Sequence, residues 1–193
     1  MAKANKKDRS GGTVVFFLAL AAVIYFAVNS DNSSVDTSAL EKVLMSGPRN
    51  EYIDAWHEVA VEQMREHKIP ASIILAQGIL ESGHGKSKLS VEACNHFGIK
   101  CGGNWDGEYI LVDDDKKGER FRKYKNARES FADHSTFLLG PRYKKLFYLK
   151  PTDYTNWAEG LKGAGYATDP NYASKLVGVI EKYQLNRFDK FYR

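Results

Sequence analysis

The chain has 193 residues, of which 43% are hydrophobic, 12% aromatic and 27% charged, a composition that excludes a disordered tail or a collagen-like repeat. Its formal charge of +4 is set largely by the first 12 residues, where Lys3, Lys6, Lys7 and Arg9 face only Asp8. Residues 13–193 then hold 24 basic and 23 acidic side chains. A nucleic-acid binder carries its basic excess in its folded part, so nucleic acid is not an expected partner.

After this basic tail (residues 1–12), Thr13 to Val28 runs for sixteen residues without a charge. As a helix it would span roughly 24 Å, which Gly11, Gly12 and Asn29 extend toward the ~30 Å of a hydrocarbon core. Tyr25 and Phe26 suit an interfacial position. A cleaved signal peptide shares the basic start and apolar run, but no good small-x-small site follows Val28. The expectation is a transmembrane anchor over residues 13–28, with the tail cytoplasmic and the remainder outside the membrane by the positive-inside rule. Residues 29–38 (NSDNSSVDTS) contain one apolar residue and read as a linker with a reach of about 35 Å. Residues 39–193 form the expected outer domain.

In that domain, Asn50 to Lys68 reads as a helix, with Ile53, Trp56, Ala60 and Met64 at helical spacing. Pro70 stops it and suits the first turn of the next helix, Ala71 to Ser82. Asn95 to Asp106 is Gly-rich and irregular. Glu108 to Val112 and Glu119 to Tyr124 are short strands flanking the acidic tip Asp113-Asp114-Asp115. Asn126 to Glu129 is a capping box opening a helix through Leu139, and Pro141 breaks it. Thr155 to Lys162 is helical, with Gly163 and Gly165 as stops. Asp169-Pro170 opens a last helix in which Tyr172, Leu176, Ile180 and Tyr183 share a face. The fold class is α+β, predominantly helical with one small β hairpin. No Gly-rich phosphate loop follows a strand.

Glu81 is the leading candidate for chemistry. It ends a stripe of the Ala71–Ser82 helix that is otherwise apolar or small (Ile74, Gly78), and it sits at the negative end of the helix dipole. Desolvation and the dipole both raise a carboxyl pKa, which suits a general acid that protonates a leaving oxygen. The bland alternative is a Glu pairing with Lys86 or Lys88. Glycoside cleavage usually needs a second carboxylate across the scissile bond, and Asp113, Asp114 or Asp115 at the tip could supply it, although three Asp in a turn also suit a solvated loop. Other chemistry fares worse: Cys94, His96 and Cys101 lack a fourth zinc ligand, and Ser82 lacks a Gly-x-Ser-x-Gly frame. The two cysteines of an extracytoplasmic domain suit a disulfide or burial. Trp105, Tyr109 and Tyr124 could stack on sugar rings or fill core.

Four blocks in order, ASIILAQGILESGHGKSKL, NHFGIK, FRKYKNARESFADHSTFLL with PRY, and AGYATDPNYASKL, resemble the glucosaminidase family of peptidoglycan hydrolases, glycoside hydrolase family 73. The resemblance covers about residues 50–185. It implies a lysozyme-like fold, with a helical lobe and a small β lobe around a groove. It implies hydrolysis of the β-1,4 bond between N-acetylglucosamine and N-acetylmuramic acid in wall glycan, with no cofactor and no metal. Glu81 matches the family's catalytic acid and Tyr166 an active-site tyrosine. Asn95, His96 and Phe97 match the groove-lining motif; Trp105 and Tyr172 complete the expected substrate-binding set. The hairpin departs from the family's Thr-x-Glu, which leaves open which of Asp113 to Asp115 serves, and whether the reaction inverts or is assisted by the substrate's N-acetyl group. The competing functions are a lytic transglycosylase, which needs only Glu81, and a non-catalytic wall-binding module.

Overall fold

A computed structural model describes residues 36–102, 105–114 and 116–192 of the chain. The expected anchor over 13–28, most of the linker, and Asp115 lie outside the described residues. Among the described residues no helix is long and apolar enough to cross a membrane.

Seven α-helices are described: α1 (Thr37–Met45), α2 (Glu51–His67), α3 (Ala71–Ser82), α4 (Lys88–Ala93), α5 (Ala127–Leu138), α6 (Tyr154–Gly163) and α7 (Tyr172–Lys182). Strands β1 (Tyr109–Val112) and β2 (Glu119–Arg122) form an antiparallel hairpin pairing Tyr109 with Arg122 and Val112 with Glu119. Two 3₁₀ helices, Pro141–Tyr148 and Leu185–Phe191, follow α5 and α7 respectively. The expected α+β class, mostly helical with one small hairpin, is what is seen.

Local chemistry explains the boundaries. The Asn50 side chain accepts from the Tyr52 and Ile53 amides at 3.0 and 3.4 Å, capping α2. Asn126 accepts from the Glu129 amide at 3.1 Å while Glu129 accepts from the Lys125 amide at 3.1 Å, a capping box displaced by one residue. Two helices were not expected. The α1 helix begins at Thr37, inside the segment expected as linker; its polar opening resembles the run before it, and only Leu40 and Val43 are buried. The six-residue α4 is opened by Ser87, whose hydroxyl accepts from the Ser90 amide at 3.2 Å.

The centre of the fold is α3, buried over every residue from Ala71 to Ile79. It packs against α2, α6, α7 and the C-terminal 3₁₀ helix. At its start Asp189, 1% exposed, accepts from the Ser72 amide at 2.9 Å and its hydroxyl at 2.7 Å, supplying from 117 residues away the cap that Pro70 lacks. Gly78 is required because a Cβ there would collide with the Tyr52 hydroxyl.

The β lobe is larger than its two strands. Cys101 donates its amide to Arg120 O at 2.8 Å and Arg122 to Ile99 O at 3.0 Å, with a bridge between Lys100 and Phe121. The Asn95 side chain ties this loop together, donating to Ile99 O and Arg122 O and accepting from the Ile99 amide. Cys94 and Cys101 are both free thiols and half-buried.

Candidate active site

The end of α3 turns sharply through ESGHG. Gly83, His84 and Gly85 have φ of 56°, 61° and 78°, three left-handed residues in succession, which glycine adopts without strain at two of the three. Ser82 winds the turn inward: its hydroxyl donates to Gly78 O at 2.5 Å and accepts from the Gly85 amide at 2.7 Å. The turn leaves Glu81, half-buried, facing a groove.

That groove encloses about 520 Å³ and is lined on the helical side by Glu81, Phe137, Arg142 and Tyr166, and on the β side by Phe97, Lys100, Val112, Asp113 and Asp114. The acid candidate and two of the three hairpin carboxylates therefore line one space. Glu81 Oε1 accepts from the Tyr172 hydroxyl at 3.0 Å, and that hydroxyl accepts from Gln77 Nε2 at 3.1 Å. Burial raises the Glu81 pKa, and the Tyr172 hydrogen bond, which favours the carboxylate, opposes it. Burial outweighs the hydrogen bond, so the protonated acid persists to higher pH than in an exposed Glu.

Tyr166 stacks on Tyr172 with ring centroids 5.6 Å apart. Its pKa is raised well above the ordinary value by burial first, then by Tyr172 and Glu81, so it is a neutral hydroxyl at any working pH. Beneath it His134, fully buried, stacks on Phe97 at 3.8 Å and meets the Tyr166 ring edge-on at 6.1 Å. Burial depresses the His134 pKa to about 3, keeping the groove floor uncharged.

On the opposite wall Asp113 Oδ1 accepts from the Gly118 amide at 2.7 Å, closing the turn. Asp114 Oδ2 lies 3.0 Å from Lys100 Nζ, which also contacts both carboxylate oxygens of Glu119 at 3.0 Å. Lys100 thus pins the tip to the start of β2.

The remaining expected contacts divide. Phe97, 4% exposed, lines the groove. Asn95 and His96 face inward: Asn95 scaffolds the β lobe, while His96 Nδ1 lies 2.9 Å from the Tyr52 hydroxyl and its amide donates to Ser130 Oγ at 3.0 Å. Tyr172 holds Glu81 from behind. Trp105 lies outside the groove lining, its indole donating to Glu108 O at 3.1 Å and its ring under the Arg122 guanidinium. Tyr124 is 6% exposed and donates to Asp133 at 2.5 Å, a core position. Sequence reasoning did not single out Arg142, Lys100 or Gln77. Arg142 lay inside the PRY segment, but its place in the groove depends on how the following 3₁₀ helix docks. Among the described residues no group of three His, Cys, Asp or Glu could hold a metal ion.

Comparison with known proteins fits this geometry. Residues 57–185 match the family model described as mannosyl-glycoprotein endo-beta-N-acetylglucosaminidase. The chain is 32% identical to the exo-glucosaminidase LytG of Bacillus subtilis over 98% of its own length and 71% of LytG. It is 35% identical to the peptidoglycan hydrolase FlgJ of Escherichia coli over 59% of its length, spanning only 40% of FlgJ. The crystal structure of a peptidoglycan hydrolase from Sphingomonas sp. A1 matches with a TM-score of 0.62 and 32% identity, over 74% of this chain and 94% of that one. With a helical lobe and a hairpin lobe enclosing a carboxylate-lined groove, the chain belongs to the glucosaminidase family of glycoside hydrolases, family 73.

Proposed function

We propose that the chain is a membrane-anchored hydrolase that cleaves the β-1,4 bond between N-acetylglucosamine and N-acetylmuramic acid in peptidoglycan. The observation that carries this is the placement of Glu81, half-buried at the end of α3, across one groove from Asp113 and Asp114. Protonated Glu81 gives its proton to the glycosidic oxygen as the bond to the anomeric carbon lengthens. Tyr172 then stabilises the carboxylate left behind, with Gln77 orienting the tyrosine. A hairpin carboxylate on the opposite face either activates water or steadies the substrate's N-acetyl group as it attacks the anomeric carbon. Neutral Tyr166 presents a hydroxyl beside the reacting sugar without adding charge. Glu81 is half-buried on the helical side and the hairpin carboxylates are exposed on the other, so the two faces of the groove offer the substrate different surroundings.

The anchor and its orientation rest on the uncharged run at residues 13–28 and the basic residues before it. A short linker would hold the groove close to the outer membrane face, on the wall nearest the membrane. The test is digestion of purified peptidoglycan by the full chain, followed by mass spectrometry of borohydride-reduced products. Reducing N-acetylglucosamine ends are expected. Muramic acid ends would mean a muramidase, anhydro ends a transglycosylase, and no product a binding module. Membrane placement is checked by fractionation and by protease access to the domain in intact cells.

A further inference from the structure

The 3₁₀ helix Pro141–Tyr148 has a feature that the bond-cleaving chemistry leaves unused. In a 3₁₀ helix residues three apart eclipse one another, about 6 Å apart along the axis. Tyr143 and Leu146 are buried, 1% and 4% exposed, and they fasten the helix to the domain. The i to i+3 pattern is seen at both ends, with Tyr143 donating to Gly140 O and Leu149 to Leu146 O, each at 3.0 Å. Arg142, Lys145 and Tyr148 then fall on one strip, and all three are exposed, Tyr148 by 80%. The strip starts in the groove, because Arg142 lines it with Glu81 and Tyr166, and Tyr148 stands about 12 Å farther on.

Charge marks the same segment. From His134 to Thr152 the chain holds Arg142, Lys144, Lys145 and Lys150 and no carboxylate, within residues 13–193 that hold 24 basic and 23 acidic side chains in all. Among the described residues no carboxylate forms an ion pair with Lys144, Lys145 or Lys150. An exposed aromatic at the end of an unpaired cationic strip, continuous with a groove, fits a polymer that carries anions beside its backbone. Peptidoglycan is such a polymer, since its glycan bears short peptides with free carboxylates.

We infer that the Arg142–Lys145–Tyr148 strip extends the groove and binds the carboxylate-bearing peptides of the wall strand, so that the protein distinguishes peptide-substituted from bare glycan. This rests on the groove being a peptidoglycan site, and the test separates the two claims. Binding is measured by co-sedimentation of full-length Glu81→Gln with insoluble peptidoglycan freed of phosphate-bearing polymers, and with the same glycan stripped of peptides by an amidase. Adding Lys145→Glu and Tyr148→Ala is expected to weaken binding to the peptide-bearing material about tenfold. Binding to stripped glycan should change less than about twofold. Lys145→Arg should retain binding, and Lys42→Glu on α1 should weaken neither. Raising salt from about 0.05 to about 0.5 M should erase the preference for peptide-bearing wall. Equal losses on both materials would mean the strip reads sugar, and no loss on either would mean a solvated surface; each overturns the inference. Absence of sugar release by the unmodified chain would remove the hydrolase reading, while the sedimentation comparison would still decide on the strip.

Discussion

Asp189 and Glu81 mark the two ends of α3, and burial pushes the pKa of both upward. Their surroundings differ in one respect. Asp189 is closed off: it is 1% exposed and both oxygens accept hydrogen bonds from Ser72. Glu81 is held from one side by Tyr172 and open on the other to a groove it shares with the hairpin acids. A raised carboxyl pKa is common to both ends, and access to a substrate-sized space is what singles out Glu81 as the proposed acid.

The largest expected effect is at the open end. Glu81→Gln keeps the shape and removes the proton, and turnover should fall about a thousandfold or more with the thermal midpoint unchanged. A variant that still releases reducing ends at a comparable rate would end the assignment. Across the groove, Asp113→Asn and Asp114→Asn should give one loss of about a hundredfold and one small loss, the larger identifying the second carboxylate. Two small losses would mean that the described hairpin residues supply none.

At the closed end the readout is stability. Asp189→Ala strands the Ser72 amide and hydroxyl and should cost about 1–3 kcal/mol in denaturant unfolding, with kcat little changed. The pH dependence has a definite sign. The folded pKa of Asp189 is pushed up to about 7, above an unfolded value of about 4, so the folded state binds more protons in between. Its contribution is full below about pH 4 and is lost as pH rises through about 7. Asp189→Asn should flatten that fall relative to wild type. A loss of kcat in this variant as large as that in Glu81→Gln would collapse the contrast between the ends.

The smallest effect concerns the support of Glu81. Tyr172→Phe removes the one hydrogen bond that lowers the Glu81 pKa. Under the proposed role Glu81 must be protonated to act, so activity is expected to fall as pH rises through that pKa. The variant should therefore move the basic limb of the kcat/KM profile to higher pH, with a several-fold loss of kcat. An unmoved limb would mean that another group sets it.

Much of this was visible in the sequence where signals are local. Pro70 and Gly83 bracket α3, and its ends were read at the observed residues. Glu81 stood out because a carboxylate closes an otherwise apolar helix. The hairpin was marked by its acidic turn. What escaped depended on distance along the chain: the Tyr172 bond to Glu81 spans 91 residues and the Asp189 cap spans 117. Asn95 and His96 were assigned to the groove through family resemblance; Asn95 ties the Ile99 segment to β2 and His96 bonds to Tyr52 on α2 and Ser130 on α5, partners 27 to 44 residues away for all but Ile99. Trp105 was plausible as a sugar platform by residue type, but Arg122 covers its ring. Short α4 lacked the length to show a period, although Ser87 marked its start.

A two-stranded hairpin is marginal in isolation, yet here it is stitched to the Ile99–Cys101 segment and clamped by Asn95. Those ties lie on residues 120 to 122, whereas the described tip is held by local bonds among Asp113, Asp114, Lys116, Gly118 and Glu119 and by Lys100. Insertions or deletions at the tip would therefore change groove depth without unravelling the lobe, since a longer loop adds only a small closure cost. The tip is thus the adjustable rim of the groove, the place where a related enzyme can gain or lose reach across a glycan strand while α3 and Glu81 stay fixed.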